Sequence, residues 1–381
     1  MPERHKIIVA LSGGVDSAVA AMLLRDAGHD VECLHMSNWD DGGYCEAARD
    51  YQDARKAAQR LGLPLHRVNF ADEYRKQVFE RFLEEHRAGR TPNPDVLCNR
   101  EIKFGAMRRY ARRLGADRLA TGHYARLRDV PGTRELLKGT DDTKDQSYFL
   151  HAVSASDFAG VLFPLGELKK TAVRSLARAA NLPVAEKKDS TGICFIGERP
   201  FDAFLREYLP TQRGPIKEPG GRVVGEHDGL AFYTLGQRHG LKIGGLRGHA
   251  PGAWYVAAKD PGSNTLIAVQ GANHPLLYQS GLMADGVCWI NAPPPGWAHG
   301  KPLSCAAKTR YRQADVPCTV WRTAGDELTV QFEGPERAIT PGQSVVFYHG
   351  DRCLGGATIR ETRAPEAALE AAGSTAEAAV W

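Results

Sequence analysis

Residues Ser12 to Ser17 read Ser-Gly-Gly-Val-Asp-Ser, behind the apolar run Ile7-Ile8-Val9-Ala10-Leu11 and ahead of the helix-forming run Ala18 to Arg25. A buried strand, a glycine turn and a helix N-terminus in that order make a phosphate site. Glycines let backbone N–H groups approach an anion, the first helical turn leaves its N–H groups unpaired, and the macrodipole adds partial positive charge. Asp16 stands apart, because a carboxylate beside phosphates requires a cation between them. No Gly-x-x-x-x-Gly-Lys-Ser/Thr occurs in the chain, which argues against transfer of a γ-phosphoryl group; the plain alternative is a turn that merely joins strand to helix. Two cysteines lie in segments with chemistry of their own. Thr91-Pro-Asn-Pro-Asp-Val-Leu-Cys-Asn99 carries two prolines in three residues, which predicts a rigid loop presenting Asn93, Asp95 and Cys98. Lys187-Lys188-Asp-Ser-Thr-Gly-Ile-Cys-Phe-Ile-Gly197 puts Cys194 in a glycine-flanked turn where two lysines and unpaired N–H groups lower a thiol pKa, although Ile-Cys-Phe-Ile equally suits an inert buried cysteine.

The elements that must position these groups alternate. Val31 to Met36 and Leu65 to Asn69 read as strands, and the repeat Ala47, Tyr51, Ala54, Ala58, Leu61 reads as a helix closed by Gly62. A further helix is expected around Tyr74 to His86, and a fourth strand over Arg118 to Thr121, ending in Gly122-His123-Tyr124. Such alternation predicts an α/β domain with a doubly wound parallel sheet, whose ligands gather at the carboxyl ends of the strands, where Ser12 to Ser17, Met36 and Gly122 fall. Between Asn99 and Arg118 a helix turns Phe104, Met107, Ala111 and Leu114 inward and Arg108, Arg109, Arg112 and Arg113 outward, either as cations suited to a helix C-terminus or as a phosphate-binding stripe. Lys144-Asp145-Gln146-Ser147 opens a short helix or contacts phosphate, and Lys169 to Asn181 is helical.

At 381 residues the chain exceeds one ordinary core, and 43% hydrophobic with 25% charged residues excludes gross disorder. A net charge of +4 permits nucleic-acid binding without requiring it. The apolar run Ile7 to Leu11 is too short for a signal-peptide core or a membrane span, so the expectation is a cytoplasmic protein without membrane contact. Eight scattered cysteines without a Cys-x-x-Cys pair suggest neither a zinc site nor a thioredoxin-like motif, and in a reducing compartment most are small buried apolar residues. From Gly214 the texture changes to Gly and Pro with short β-prone runs, Leu230 to Thr234, Trp254 to Ala258, Thr265 to Val269, Val316 to Trp321, Leu328 to Phe332 and Ser344 to Phe347. The expected division is a catalytic domain over 1–210, a small mixed or β central domain over 211–278, a C-terminal β-barrel over 279–362 and an Ala- and Glu-rich tail over 363–381. Lys308-Thr-Arg310-Tyr311-Arg312 reads first as an ordinary exposed strand and second as an RNA contact.

Ser12 to Ser17 resembles the pyrophosphate loop (PP-loop) of enzymes that split ATP between its α- and β-phosphates. Together with Thr91 to Asn99, Thr121-Gly-His-Tyr124, Lys144-Asp-Gln146, Asp189 to Gly197, Leu235-Gly-Gln-Arg238, Lys308 to Arg312 and Pro341-Gly-Gln343, it resembles the bacterial tRNA-specific 2-thiouridylase family from about Lys6 to about Arg360. Membership implies a PP-loop ATP-pyrophosphatase domain and conversion of the anticodon wobble uridine to 2-thiouridine, with ATP consumed, Mg²⁺ as its cofactor, and sulfur supplied as a persulfide by a carrier protein or a cysteine desulfurase relay. By the same match Ala10, Leu11, Ser12, Gly13, Gly14, Val15, Asp16, Ser17, Met36 and Gly122 bind ATP, with Mg²⁺ offsetting charge beside Asp16. Asn93, Pro94 and Asp95 meet the target base. His123, Lys144, Asp145, Gln146, Arg310, Tyr311 and Gln343 contact tRNA. Cys194 carries the persulfide, Cys98 is the nucleophile that resolves it through a transient Cys98–Cys194 disulfide, and Asp95 accepts a proton. Ala10 stands where many members have glycine, a small departure. Two rivals remain: an ATP-pyrophosphatase forming a C–N bond, which needs no cysteine pair, and an RNA-binding protein without turnover, in which the complete loop is surplus.

Overall fold

The computed structural model describes residues 3–39, 45–189, 201–244, 251–295, 297, 300–323 and 325–363. Cys194, the rest of its turn and the tail from 364 lie outside the described residues. The first sheet contains β1 (Lys6–Ala10), β2 (Asp30–Ser37), β3 (Leu65–Asn69) and β4 (Arg118–Ala120). The chain then makes a hairpin, β5 (Ala125–Val130) and β6 (Thr133–Lys138), before β7 (Val161–Leu162) returns to that sheet, whose order is β3-β2-β1-β4-β7 with every pairing parallel. Ile7, Ile8 and Val9 are fully buried, as a strand covered on both faces must be. The helix Val15–Asp26 covers one side with Val15, Ala18, Val19, Ala20, Ala21 and Met22. Strand order reverses between β1 and β4, which opens the crevice at their carboxyl ends.

The central domain is a mixed sheet of β8 (Gly214–Lys217), β9 (Val223–His227), β10 (Trp254–Asp260) and β11 (Thr265–Gln270), in the order β10-β11-β8-β9. Its single parallel pairing joins β11 to β8. Leu230 to Thr234, expected as a strand, instead starts with a 3₁₀ turn over Leu230–Phe232. Gly229 takes φ +144 and the Phe232 N–H returns to the Gly229 carbonyl, a reversal that only glycine enters easily.

The barrel consists of β12 (Tyr278–Trp289), β13 (Leu303–Lys308), β14 (Val316–Arg322), β15 (Leu328–Arg337), β16 (Ser344–His349) and β17 (Arg352–Arg363). The order β12-β15-β14-β13-β16-β17 is closed by the antiparallel β12–β17 pair. The hairpin β5–β6 then extends this sheet through Arg352 with Leu137 and Cys353 with Leu136. A piece of the N-terminal half is therefore stitched to the last strand. The exposed-strand reading of Lys308 to Arg312 is also corrected: β13 ends at Lys308, Lys308 and Thr309 are buried, and Arg310 and Tyr311 lie in the turn that follows. No helix among the described residues is long and apolar enough to cross a membrane.

Candidate active site

Gly13 and Gly14 shape the turn after β1. Gly13 has φ +86, and a Cβ there would lie 2.3 Å from the Asp50 carbonyl oxygen. Gly14 is the N-cap of Val15–Asp26 and offers no capping side chain, which leaves first-turn N–H groups available to an anion. Ser17 Oγ donates to the Gly14 carbonyl at 3.1 Å and accepts from the Ser12 N–H at 3.2 Å, locking the turn internally. Gly122, expected to admit a nucleotide, is required by the helix itself: a Cβ would sit 2.8 Å from the Ser17 nitrogen. Met36, next to last in β2, pairs with Val68 and is partly buried.

The cation beside Asp16 is Lys170, whose Nζ donates to both carboxylate oxygens at 2.7 Å. The Tyr124 hydroxyl donates to the same carboxylate at 2.7 Å, and burial with the adjacent Asp16 charge pushes the Tyr124 phenol upward. Lys170 also reaches Asp189 at 2.8 Å, and Asp189 is further held by Lys144 at 2.7 Å and Arg174 at 2.8 Å. Burial alone would raise the Asp189 carboxyl, but the Lys144 and Lys170 hydrogen bonds and charges outweigh it and bring it down to about 2. Lys187, expected to acidify the Cys194 thiol, is held by Asp50 at 2.8 Å, Asp53 at 2.7 Å and the Gly13 carbonyl at 3.1 Å. It supports the loop from outside. The Mg²⁺ expectation at Asp16 does not fit these side chains, because Lys170 and Tyr124 occupy the carboxylate and no group of three His, Cys, Asp or Glu side chains suited to a metal exists among the described residues.

The loop expected over Thr91 to Asn99 ends earlier. Asn93 caps a helix by accepting from the Asp95 N–H at 3.2 Å, Pro94 takes the first helical position, and Pro94–Leu97 continues through a π-helical stretch, Cys98–Met107, into Arg108–Arg113. Proline suits that first position because its ring fixes φ and no N–H is needed there. The helix stops shortly before β4, which places its Asn93–Cys98 end at the carboxyl edge of the sheet with Ser12 to Ser17. Cys98 is 1% exposed, and burial raises the Asp95 carboxyl against the opposing charge of Lys103.

The expected tRNA contacts divide by burial. His123 is buried beside Phe104 and Phe163, bonded to Thr121 at 2.7 Å, and held neutral by burial with Lys103 nearby. Asp145 is buried and accepts from the Gly139 and Ser147 N–H groups and the Ser147 hydroxyl. Gln146 accepts from the Tyr124 N–H at 3.0 Å. Arg310 donates to the carbonyls of Leu235 at 2.9 Å and Ala338 at 2.7 Å, tying central domain to barrel. Gln343 donates to the Thr91 carbonyl at 2.7 Å, and Tyr311 packs on Phe149 with ring centroids 4.5 Å apart. Lys170, Tyr124 and Asp189 were absent from the expected ATP site. One signal pointed to Lys170: Lys169-Lys170 opens a helix whose first turn holds no acid, an arrangement the dipole disfavours unless an anion lies nearby.

A glycine turn at the switch point of a parallel sheet, with buried cation and carboxylate partners, defines a nucleotide-binding α/β domain of the HUP class. The family model described as tRNA methyl transferase HUP domain matches residues 5–198, the tRNA methyl transferase PRC-barrel domain matches 202–270, and the Aminomethyltransferase beta-barrel domain matches 279–359. The tRNA-specific 2-thiouridylase MnmA of Ralstonia pickettii (strain 12J) is 55% identical over 359 residues, covering 93% of this chain and 96% of its own. Its counterpart in Pseudomonas savastanoi pv. phaseolicola (strain 1448A / Race 6) is 54% identical over 360 residues, covering 94% of each. The chain belongs to the tRNA-specific 2-thiouridylase family.

Proposed function

We propose that this protein thiolates the 2-position of the anticodon wobble uridine in tRNA, with ATP as activator. The observation that carries the reading is the phosphate turn Ser12 to Ser17, with Lys170 beside Asp16, at the same sheet edge as the Asn93–Cys98 helix end. The uracil 2-oxygen attacks the α-phosphorus, the bond to the bridging oxygen breaks, and pyrophosphate leaves into the N–H groups of the turn, with Lys170 balancing its charge. Mg²⁺ arrives with ATP, since no cluster of three metal-suited side chains exists among the described residues. Adenylation turns a poor leaving oxygen into AMP. A persulfide on Cys194, loaded by a persulfide carrier or cysteine desulfurase relay, supplies the sulfur that adds at C2. AMP departs with the original oxygen. The Cys98 thiolate attacks the Cys194 sulfur and breaks the bond between it and the transferred sulfur, which stays on C2, leaving a Cys98–Cys194 disulfide that a reductant reopens.

Asn93, Pro94 and Asp95 receive the flipped base, and the raised Asp95 carboxyl is suited to holding and passing a proton. Among the tRNA-contact positions, Lys144, Arg310, Tyr311 and Gln343 meet the anticodon arm at the junction of domains. Asp145 and Gln146 act by holding the backbone that faces it, and His123 by its bond to the Thr121 side chain. AMP and thionucleoside quantified in one reaction test the scheme: they form in equal amounts, and Cys98→Ser abolishes the thionucleoside. A C–N ligase would keep its turnover in that variant, and a non-enzymatic RNA-binding protein would release no AMP.

A further inference from the structure

The chain leading into the reaction helix is gripped from two sides. From the barrel, the Pro341 carbonyl accepts from the Thr91 N–H at 2.9 Å and Gln343 Nε2 donates to the Thr91 carbonyl at 2.7 Å. From the central domain, Lys259 on β10 extends its Nζ to the Gly89 carbonyl at 2.9 Å, and the Thr234 and Thr91 hydroxyls lie 3.4 Å apart. Lys259 makes no ion pair among the described residues, and burial brings its pKa down to about 8. A partly buried ammonium against a lone carbonyl contributes little to stability, and an apolar side chain would serve packing better. Such a group earns its place through geometry. Gly89 has φ +75 and ends the helix Glu80–Arg87, so the angle at which the chain leaves that helix sets the path through Thr91 to the Asn93 cap.

We propose that Lys259 is a positioning residue for thiolation, through which β10 of the central domain fixes the Gly89–Thr91 path and hence the aim of Asp95 and Cys98. The inference rests on the assignment of the Asn93–Cys98 end as the reaction centre. The central domain is then part of the catalytic apparatus, acting across the interface without touching substrate.

The test compares Lys259→Met and Lys259→Arg with wild type in the full-length, fully reduced protein. Lys259→Met should lower kcat about tenfold or more, because small misplacements of reacting groups carry large rate costs, while KM for ATP and for tRNA stay within about threefold. Lys259→Arg keeps a donor and should restore most of kcat. Iodoacetamide labelling, followed peptide by peptide, should show Cys98 reacting several-fold faster in Lys259→Met, with fully buried Cys33 as the unchanged internal reference. If Lys259→Met does not fold, Lys259→Gln replaces it with the same expectations. Unchanged kcat, unchanged Cys98 labelling, or a raised tRNA KM with kcat intact would each overturn the proposal. Failure of the underlying assignment shows separately, as full thiolation by Cys98→Ser with Lys259 in place.

Discussion

Lys170 occupies the first position of its helix, where a cation opposes the dipole, and is paid back by Asp16 and Asp189 at 2.7 and 2.8 Å. Replacing it with methionine leaves Asp16 half-buried with only Tyr124, and removes a positive charge where pyrophosphate departs. AMP formation by Lys170→Met should fall by about a hundredfold or more, as for other losses of an electrostatic group at a developing charge; activity near wild type would show that Lys170 only props the fold. Asp189 makes a pH statement. Its folded pKa of about 2 lies below its ordinary 3.8, so its contribution to stability is complete above pH 3.8 and is lost as pH falls toward 2. The difference in melting temperature between wild type and Asp189→Asn should therefore be large at pH 6 and shrink steadily below pH 3.8. At this scale the sequence was informative where chemistry is local. Ser12 to Ser17 declares itself through neighbours along the chain, whereas Lys170 meets Asp16 from 154 residues away.

The reaction helix shows what local rules misjudge. Two prolines argued for a loop, yet Pro94 lies at the one helical position that welcomes it, behind an Asn93 cap. The π-helical stretch from Cys98 to Met107 left no signal, because its register is set by packing of Ile102, Phe104 and Met107 rather than by composition. The contact from the barrel is equally exacting: Gly342 has φ +91, and a Cβ there would lie 2.8 Å from the Thr91 nitrogen. Gly342→Ala should cost about 1–3 kcal/mol of stability from backbone strain alone. Because the clash falls on Thr91, thiolation should drop further than that loss explains, measured by kcat beside chemical denaturation. A variant that is destabilised but retains full kcat would mean that the barrel does not set the helix.

Across the molecule, boundaries drawn from composition follow the change of texture near Gly214 but miss how the parts interlock. The hairpin β5–β6 belongs by sequence to the nucleotide domain and by hydrogen bonding to the barrel sheet, a pairing invisible until β17 exists. Tyr148 adds a bond from its hydroxyl to the Ser344 carbonyl at 2.9 Å, and Ser147 lies 3.2 Å from the Tyr348 hydroxyl, both buried. Nucleotide domain and barrel should consequently unfold together. Calorimetry of the full chain should show them in one transition, while a chain cut after residue 210 should melt below the full chain; two separated transitions would show independent units.

The most direct test incubates the protein with unmodified tRNA, Mg-ATP and a persulfide donor and analyses the nucleosides by mass spectrometry. The account predicts 2-thiouridine with wild type, its loss in Cys194→Ser, and AMP appearing in step with the product. AMP release without any thionucleoside, or 2-thiouridine formed equally well by Cys194→Ser under persulfide supply, would contradict it.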